Sequence, residues 1–427
     1  MLPTGRRGTV SSTLALSAIA RGNMALTTAP DLNFDPYDVE ITANPYPALR
    51  RLREEAPLYY NERYDFYALS RYDDIERALK DKDSFINGKG NVLELIKADV
   101  EQPPGTLIFE DPPAHTLHRK LLSRAFTPKR VAALEEQIRN FTGECLDPLV
   151  GTDGFDFVAD LGAQVPMQVI GMLMGIPAQD RRTVREHVDG YLRTEPGRPM
   201  RFQKGSKWSP GSKLSDIFGE YIDWRAEHPS DDVMTDLLSA TFEDEHGVTR
   251  TLTRDEALLY VNIVAGAGNE TTNRLIGWAG KVLGDHPEQR RQLVEDPALV
   301  DNAIEELLRF ETPGPISGRY VAKDVELHGQ VVPAGSALLL LNYSANRDER
   351  RYDEPDRFDI RRTNAPSLAF GHGIHFCLGA SLARLEGRVV LEEVLKRFPD
   401  WEVDIAGARM APASVVRGWQ ALPVRLP

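Results

Sequence analysis

The feature that most restricts the fold is a helical run that opens at Thr253-Arg254-Asp255-Glu256 and stops at Asp285-His286-Pro287. Thr253 with Glu256 three residues later reads as a capping box, and the proline ends the run. At about 32 residues and 1.5 Å each the helix is roughly 48 Å long, so it crosses the whole domain. Val261, Ile263, Val264, Leu275 and Ile276 give it apolar flanks and bury its middle. That middle reads 264-VAGAGNETT-272. Gly266 and Gly268 each cost about 1 kcal/mol relative to alanine in a helix. They predict a local bulge and leave room for a bulky flat group beside the backbone. Glu270 and Thr271 follow as adjacent acid and alcohol, and a buried acid needs a reason. The plainer readings are a solvated Glu-Thr-Thr face and a phosphate loop. The second is weakened because the glycines lie inside a helix and not at its mouth.

A second stretch, 370-FGHGIHFCLG-379, presents Cys377. Glycines at 371, 373 and 379 let the backbone turn tightly and lie close to something flat. Leu378, Leu382, Leu385, Val389, Val390, Val394 and Leu395 then recur at helical spacing up to Phe398-Pro399. A cysteine just before a helix meets unpaired N–H groups and the positive end of the macrodipole, and both favour the thiolate. A buried structural cysteine is the bland alternative. A zinc site from His372, His375 and Cys377 lacks a fourth ligand at normal spacing. A dinucleotide loop lacks its third glycine and a strand before it.

Two further pairs stand at helical spacing. Asp111-Pro112-Pro113 marks a helix start, after which His115 and Arg119 share a face. His118 lies off that face and reads as surface. In 301-DNAIEELLRF-310, Glu306 and Arg309 are three apart, which alone reads as a surface ion pair. Short strands are expected at 58 to 60 and 65 to 70, a buried strand at 337-ALLLL-341, and a turn at Arg417-Gly418 between strands. Helices are expected over 128 to 150, 162 to 174 and 180 to 192. The Gly-, Pro- and cation-rich stretch from 193 to 213 reads either as a surface loop or as a lid over a substrate entrance.

The spacing Phe370, Gly373, His375, Cys377 and Gly379 resembles the haem-thiolate loop of the cytochrome P-450 family, with every position matching. The segment Ala267-Gly268-Asn269-Glu270-Thr271 is similar to that family's oxygen-activation motif. His115 with Arg119 resembles its haem-propionate clamp, Arg319 the third propionate partner, and Glu306 with Arg309 its internal Glu-x-x-Arg pair. The resemblance covers about residues 36 to 426 and implies a mainly helical α+β fold with smaller sheets built from both chain ends. Haem b would lie between the long central helix and the cysteine loop, with Cys377 as axial ligand of its iron. Contacts to the haem would come from His115, Arg119, Ala267, Gly268, Arg319, Phe370, Gly371, His375, Cys377 and Gly379. Glu270 and Thr271 would route protons. Ile263, Gly266, Ala267, Pro315, Ile316, Val415 and Val416 would line an apolar substrate pocket. The implied activity is O2-dependent hydroxylation or epoxidation of a hydrophobic small molecule, such as a terpenoid, steroid or polyketide. No flavin or nicotinamide motif is present, so electrons are expected from a ferredoxin or flavodoxin with an NAD(P)H-dependent reductase. The donor would dock near Arg124, Lys129 and Arg388. The alternatives are a peroxide-driven or bond-coupling haem-thiolate enzyme and a haem-binding protein without turnover.

Length alone, 427 residues, suggests two or three domains, but no linker interrupts 34 to 427, which reads as one. Residues 1 to 33 read as a disordered extension, with Met24 an alternative start. A net charge of -13 argues against general nucleic-acid affinity. Cys145 lies on an apolar helical stripe and reads as core, and two cysteines so differently placed suggest no disulfide. No run approaches the ~18 apolar residues of a membrane span. A cytoplasmic monomer is expected.

Overall fold

The computed structural model describes residues 32–103, 105–184, 197–200, 204, 212–244, 246–363, 366–411 and 415–427. The extension expected over 1 to 33 lies almost wholly outside the described residues. So do the helix expected over 180 to 192, beyond residue 184, and most of the loop at 193 to 213.

Helices dominate, and the central one runs unbroken over Arg254–Asp285. Its capping box is formed: the Glu256 N–H donates to Thr253 Oγ1 at 3.2 Å, and the Thr253 N–H donates to the Glu256 carboxylate at 2.7 Å. The bulge expected at Gly266 and Gly268 is absent, because close packing uses one of these glycines instead. A Cβ at Gly268 would stand 2.5 Å from Ile170 Cδ1, so glycine lets the helix Val165–Leu173 lie against the central one. At Gly266 nothing lies within 4 Å of such a Cβ.

The helices Ser212–Glu227, Val300–Phe310 and Ala380–Arg397 also pack on the central helix. Val261, Leu275, Leu283, Leu307, Val389 and Val394 belong to the resulting core. Burying each such side chain contributes about 1.5–3 kcal/mol. Cys145 packs half-buried against this core, and burial pushes its thiol up to about 11.

A second apolar cluster surrounds a five-stranded sheet. Leu58–Asn61, Phe66–Leu69 and Phe85–Ile86 join it from the N-terminal part, and Ser317–Val321 and Ala337–Leu340 from much later. Ala337–Leu340 is buried at every residue, which is why its sequence is a continuous apolar run. It pairs parallel with Phe66–Leu69 and antiparallel with Ser317–Val321. A three-stranded sheet joins Gly154–Asp156, Glu402–Val403 and Pro423–Arg425.

Near the C-terminus Arg409–Met410 pairs antiparallel with Trp419–Ala421, and Arg417 and Gly418 lie in the connection between these two strands, as expected. Arg417 is buried because its charge is compensated: it pairs with Glu311 and donates to the carbonyls of Thr42 and Ala43 at 2.8 and 3.1 Å.

Glu306 and Arg309 are fully buried and bidentate, at 2.6 and 2.7 Å. Arg309 also donates to the carbonyls of Asn346, Pro355 and Arg357. Glu306 accepts from the Asp359 N–H and Arg362 Nε. This pair organises the irregular segment leading to the cysteine loop.

Candidate active site

A cavity of about 350 Å³ lies between the central helix and the segment containing Cys377. The helix contributes Ile263, Ala267, Gly268 and Thr271; the facing wall contributes Phe370, Gly371, Cys377 and Gly379; Ile316, Val415 and Val416 complete the apolar side. Gly266 and Pro315 are not on this wall. Gly266 lies on another face of the helix, and Pro315 borders a separate small recess with Phe34 and Arg417.

The loop is held by specific contacts. Gly371 and Gly373 have φ of 68° and 70°, a left-handed conformation that favours glycine. A Cβ at Gly373 would also stand 2.5 Å from the Leu79 carbonyl oxygen, so glycine seats the loop on the helix Tyr72–Lys80. The Cys377 N–H donates to the Phe370 carbonyl at 2.9 Å, and the helix begins at Ala380. Cys377 lies deep in the molecule, yet its side chain is exposed because it opens onto the cavity. Burial is the largest influence and raises the thiol's pKa; the Gly379 N–H, Arg119 and Arg384 pull the other way without prevailing. A cation bound at the sulfur would favour the thiolate.

One end of the cavity gathers guanidinium and imidazole groups that meet no carboxylate among the described residues. Arg319 is buried, donates to the carbonyl of its neighbour Gly318 at 2.8 Å, and has its pKa pulled down to about 10 by burial. Arg119 lines the wall and donates to the Phe376 carbonyl at 2.5 Å. His375 also lines the wall, with Nε2 lacking a partner; burial first, then the neighbouring cationic groups, pull its pKa down to about 3. His115 stands behind it, ring centroids 4.2 Å apart, with both ring nitrogens buried and unpaired. Orphaned donors of this kind call for an anion.

Thr271 faces the cavity and donates from Oγ1 to the Ala267 carbonyl at 2.8 Å. Glu270 is not on the wall. Its carboxylate pairs with Arg274, which also donates to the Trp419 carbonyl. His118, expected at the surface, is buried, with Nδ1 at 2.9 and 2.8 Å from the two Glu110 oxygens. Its carboxylate partner removes the cost of burial and ties down the segment carrying Leu107 and Ile108 to the wall. Arg388, expected near the donor's docking site, is paired with Glu135 and Glu392 at 2.6 and 3.0 Å; Arg124 and Lys129 are exposed.

Sequence reasoning missed two buried charges. Glu386 lines the cavity with Oε2 unpaired, and burial raises its pKa to about 8. Its place among Leu382, Leu385 and Val389 on one helical stripe was the available signal. Arg274, four residues after Glu270, had the i,i+4 signal. Among the described residues no group of three or more His, Cys, Asp or Glu is placed to hold a metal ion, and no helix is long and apolar enough to cross a membrane.

The sequence model described as Cytochrome P450 matches residues 211–408. "Putative cytochrome P450 123" of Mycobacterium tuberculosis is 36% identical over 397 residues, covering 92% of this chain and 97% of that protein. The chain belongs to the cytochrome P450 family. Another relative, the vitamin D(3) 25-hydroxylase of Pseudonocardia autotrophica, is 34% identical over 94% of this chain and 99% of its own. The solved P450 hydroxylase HmtN, titled as a post-tailoring enzyme involved in himastatin biosynthesis, superposes with a TM-score of 0.77 at 31% identity. It covers 89% of this chain and 96% of HmtN. As a P450 the chain is a haem-dependent monooxygenase of mainly helical fold, in a family that uses O2 and redox partners. The residues present fit the cofactor: a thiol opens onto a cavity whose far end holds two guanidinium groups that meet only carbonyls among the described residues, Arg119 and Arg319, and the unpaired imidazole Nε2 of His375, all suited to carboxylates.

Proposed function

We propose that this P450 hydroxylates or epoxidises a hydrophobic natural product, of terpenoid, steroid or polyketide type, with haem b as its cofactor. The observation carrying this reading is the cavity itself, with the Cys377 thiol on one wall and Thr271 on the other. Cys377 would ligate the iron, and Arg119, Arg319, His375 and His115 would hold the propionates. Ala267, Gly268, Phe370, Gly371 and Gly379 would bound the cofactor. Haem would supply dioxygen activation when bound, with the Cys377 sulfur as its protein ligand. Thr271 would hold a proton donor at the cavity, replenished past Glu270, and the apolar wall at Ile263, Ile316, Val415 and Val416 would orient substrate and exclude water. The Glu306–Arg309 pair has a structural role.

The relatives support the substrate class: one is named for hydroxylating vitamin D(3), and HmtN for a biosynthetic tailoring step. Electrons would come from a ferredoxin or flavodoxin served by an NAD(P)H-dependent reductase, docking near Arg124 and Lys129. The protein would act as a cytoplasmic monomer of one domain over 34 to 427. Optical titration of the ferric protein with a library of hydrophobic compounds should give low-spin to high-spin shifts with members of this class. Cys377→Ala should abolish the thiolate-type spectrum of the reduced carbon-monoxide complex. Turnover with donor and O2 that exceeds turnover with added hydrogen peroxide separates a monooxygenase from a peroxide-driven enzyme.

A further inference from the structure

Arg274 joins two parts of the molecule. It lies one turn beyond Glu270 on the central helix and is 7% exposed. One arm of its guanidinium pairs with the Glu270 carboxylate, and the other donates to the carbonyl of Trp419. Trp419 opens the second strand of the hairpin whose preceding residues, Val415 and Val416, line the cavity. The approach is close. A Cβ at Gly418 would stand 2.6 Å from Arg274 Cδ, so glycine is what lets the hairpin touch this side chain. A second side chain of the same helix, Trp278, donates from Nε1 to the Arg417 carbonyl at 3.1 Å.

The contacts of Arg274 are incomplete. Among the described residues its Nε is buried with no partner, and its one paired carboxylate is Glu270. A guanidinium offers five donors in a rigid fork, so a shift of the Trp419 carbonyl changes how the fork meets the carboxylate. Glu270 in turn is the residue beside Thr271, which faces the cavity.

We propose that Arg274 is a positioning residue that couples the substrate-contacting hairpin to Glu270, so that occupation of the wall at Val415 and Val416 sets how firmly the carboxylate is held. This rests on the reading of Glu270 and Thr271 as the proton route. An empty wall leaves the acid clamped; a displaced hairpin loosens the clamp and frees the acid to exchange protons with the cavity. The coupling is reciprocal, as any coupling between two sites must be. A change at Glu270 therefore reaches the hairpin through Arg274.

Amide hydrogen exchange of peptides covering 415 to 421 tests this without any substrate. Arg274→Gln is expected to speed exchange there about tenfold, the scale of one lost charged hydrogen bond. Glu270→Gln is expected to change hairpin exchange with Arg274 present and to have no effect in the Arg274→Gln background. Exchange effects that simply add, or a hairpin indifferent to both changes, overturn the proposal. The pH profile of NAD(P)H-driven hydrogen peroxide release should shift in Arg274→Gln; an unmoved profile reduces Arg274 to a structural strap and also overturns it. Should Arg274→Gln fail to fold, Gly418→Ala crowds the same side chain and keeps its charge, with the same expectations. Thr271→Ala is the control for the underlying reading: it should raise peroxide release and leave hairpin exchange unchanged. If Thr271→Ala leaves peroxide release unchanged, the proton route is wrong, whatever the hairpin does.

Discussion

Among the acid–arginine pairs at helical spacing, Glu306–Arg309 and Glu270–Arg274 are built differently. Glu306 and Arg309 are saturated: the carboxylate also accepts from Asp359 and Arg362, and the guanidinium reaches three carbonyls. Glu270 and Arg274 are sparse, with one carbonyl shared and Nε left over. A saturated buried network has one good arrangement and fixes the backbone around it. A sparse one tolerates more than one arrangement at similar energy. Position in the cell of contacts, more than residue type, separates a fastener from a moving part.

The largest effect is expected at the saturated pair. Arg309→Ala removes the main partner of the buried Glu306 carboxylate and leaves the carbonyls of Asn346, Pro355 and Arg357 without their donor, and should cost about 3–5 kcal/mol in urea unfolding, with loss of haem on purification. Next is Glu386, whose folded pKa of about 8 stands above the ordinary 4.5. Between those values the unfolded chain gives up its proton and the folded chain keeps it, so stability falls as pH rises. Glu386→Gln should remove that fall, adding about 2–4 kcal/mol at pH 8 and little below pH 4.5, read from unfolding midpoints. At the sparse pair, Arg274→Gln should cost about 1–2 kcal/mol. A loss as large as that of Arg309→Ala would erase the distinction between the pairs. Smallest are the two glycines of the central helix. Gly266→Ala meets nothing and should gain up to about 1 kcal/mol by thermal unfolding. Gly268→Ala meets Ile170 and should lose about 1 kcal/mol.

The central helix and its capping box were legible because end signals and apolar spacing are local properties of the chain. The strand at Ala337–Leu340 was legible for the same reason. The bulge expected in the central helix was not found, because glycine has several uses and a sequence does not say which. At Gly268 the use is contact with a neighbouring helix, a tertiary fact. His118 was misread because its partner Glu110 lies outside the helix that carries it. Cys377, Thr271 and the donors at Arg119, Arg319 and His375 were all named from the sequence, and the structure brings them to one cavity. Pro315 and Gly266 were named by neighbourhood, but which way a backbone presents itself depends on packing from elsewhere.

The buried hold of Arg417 on residues 42 and 43 has a practical consequence for anyone trimming this protein. Those residues lie near the start of the described chain, 375 and 374 positions before the arginine they steady. A shortened variant that begins after Asn44 would leave Arg417 with Glu311 and the helix Trp278 but without its two carbonyl anchors. Such a variant should still gather haem, while accepting a broader range of molecules, so the choice of first residue is itself a way to tune selectivity.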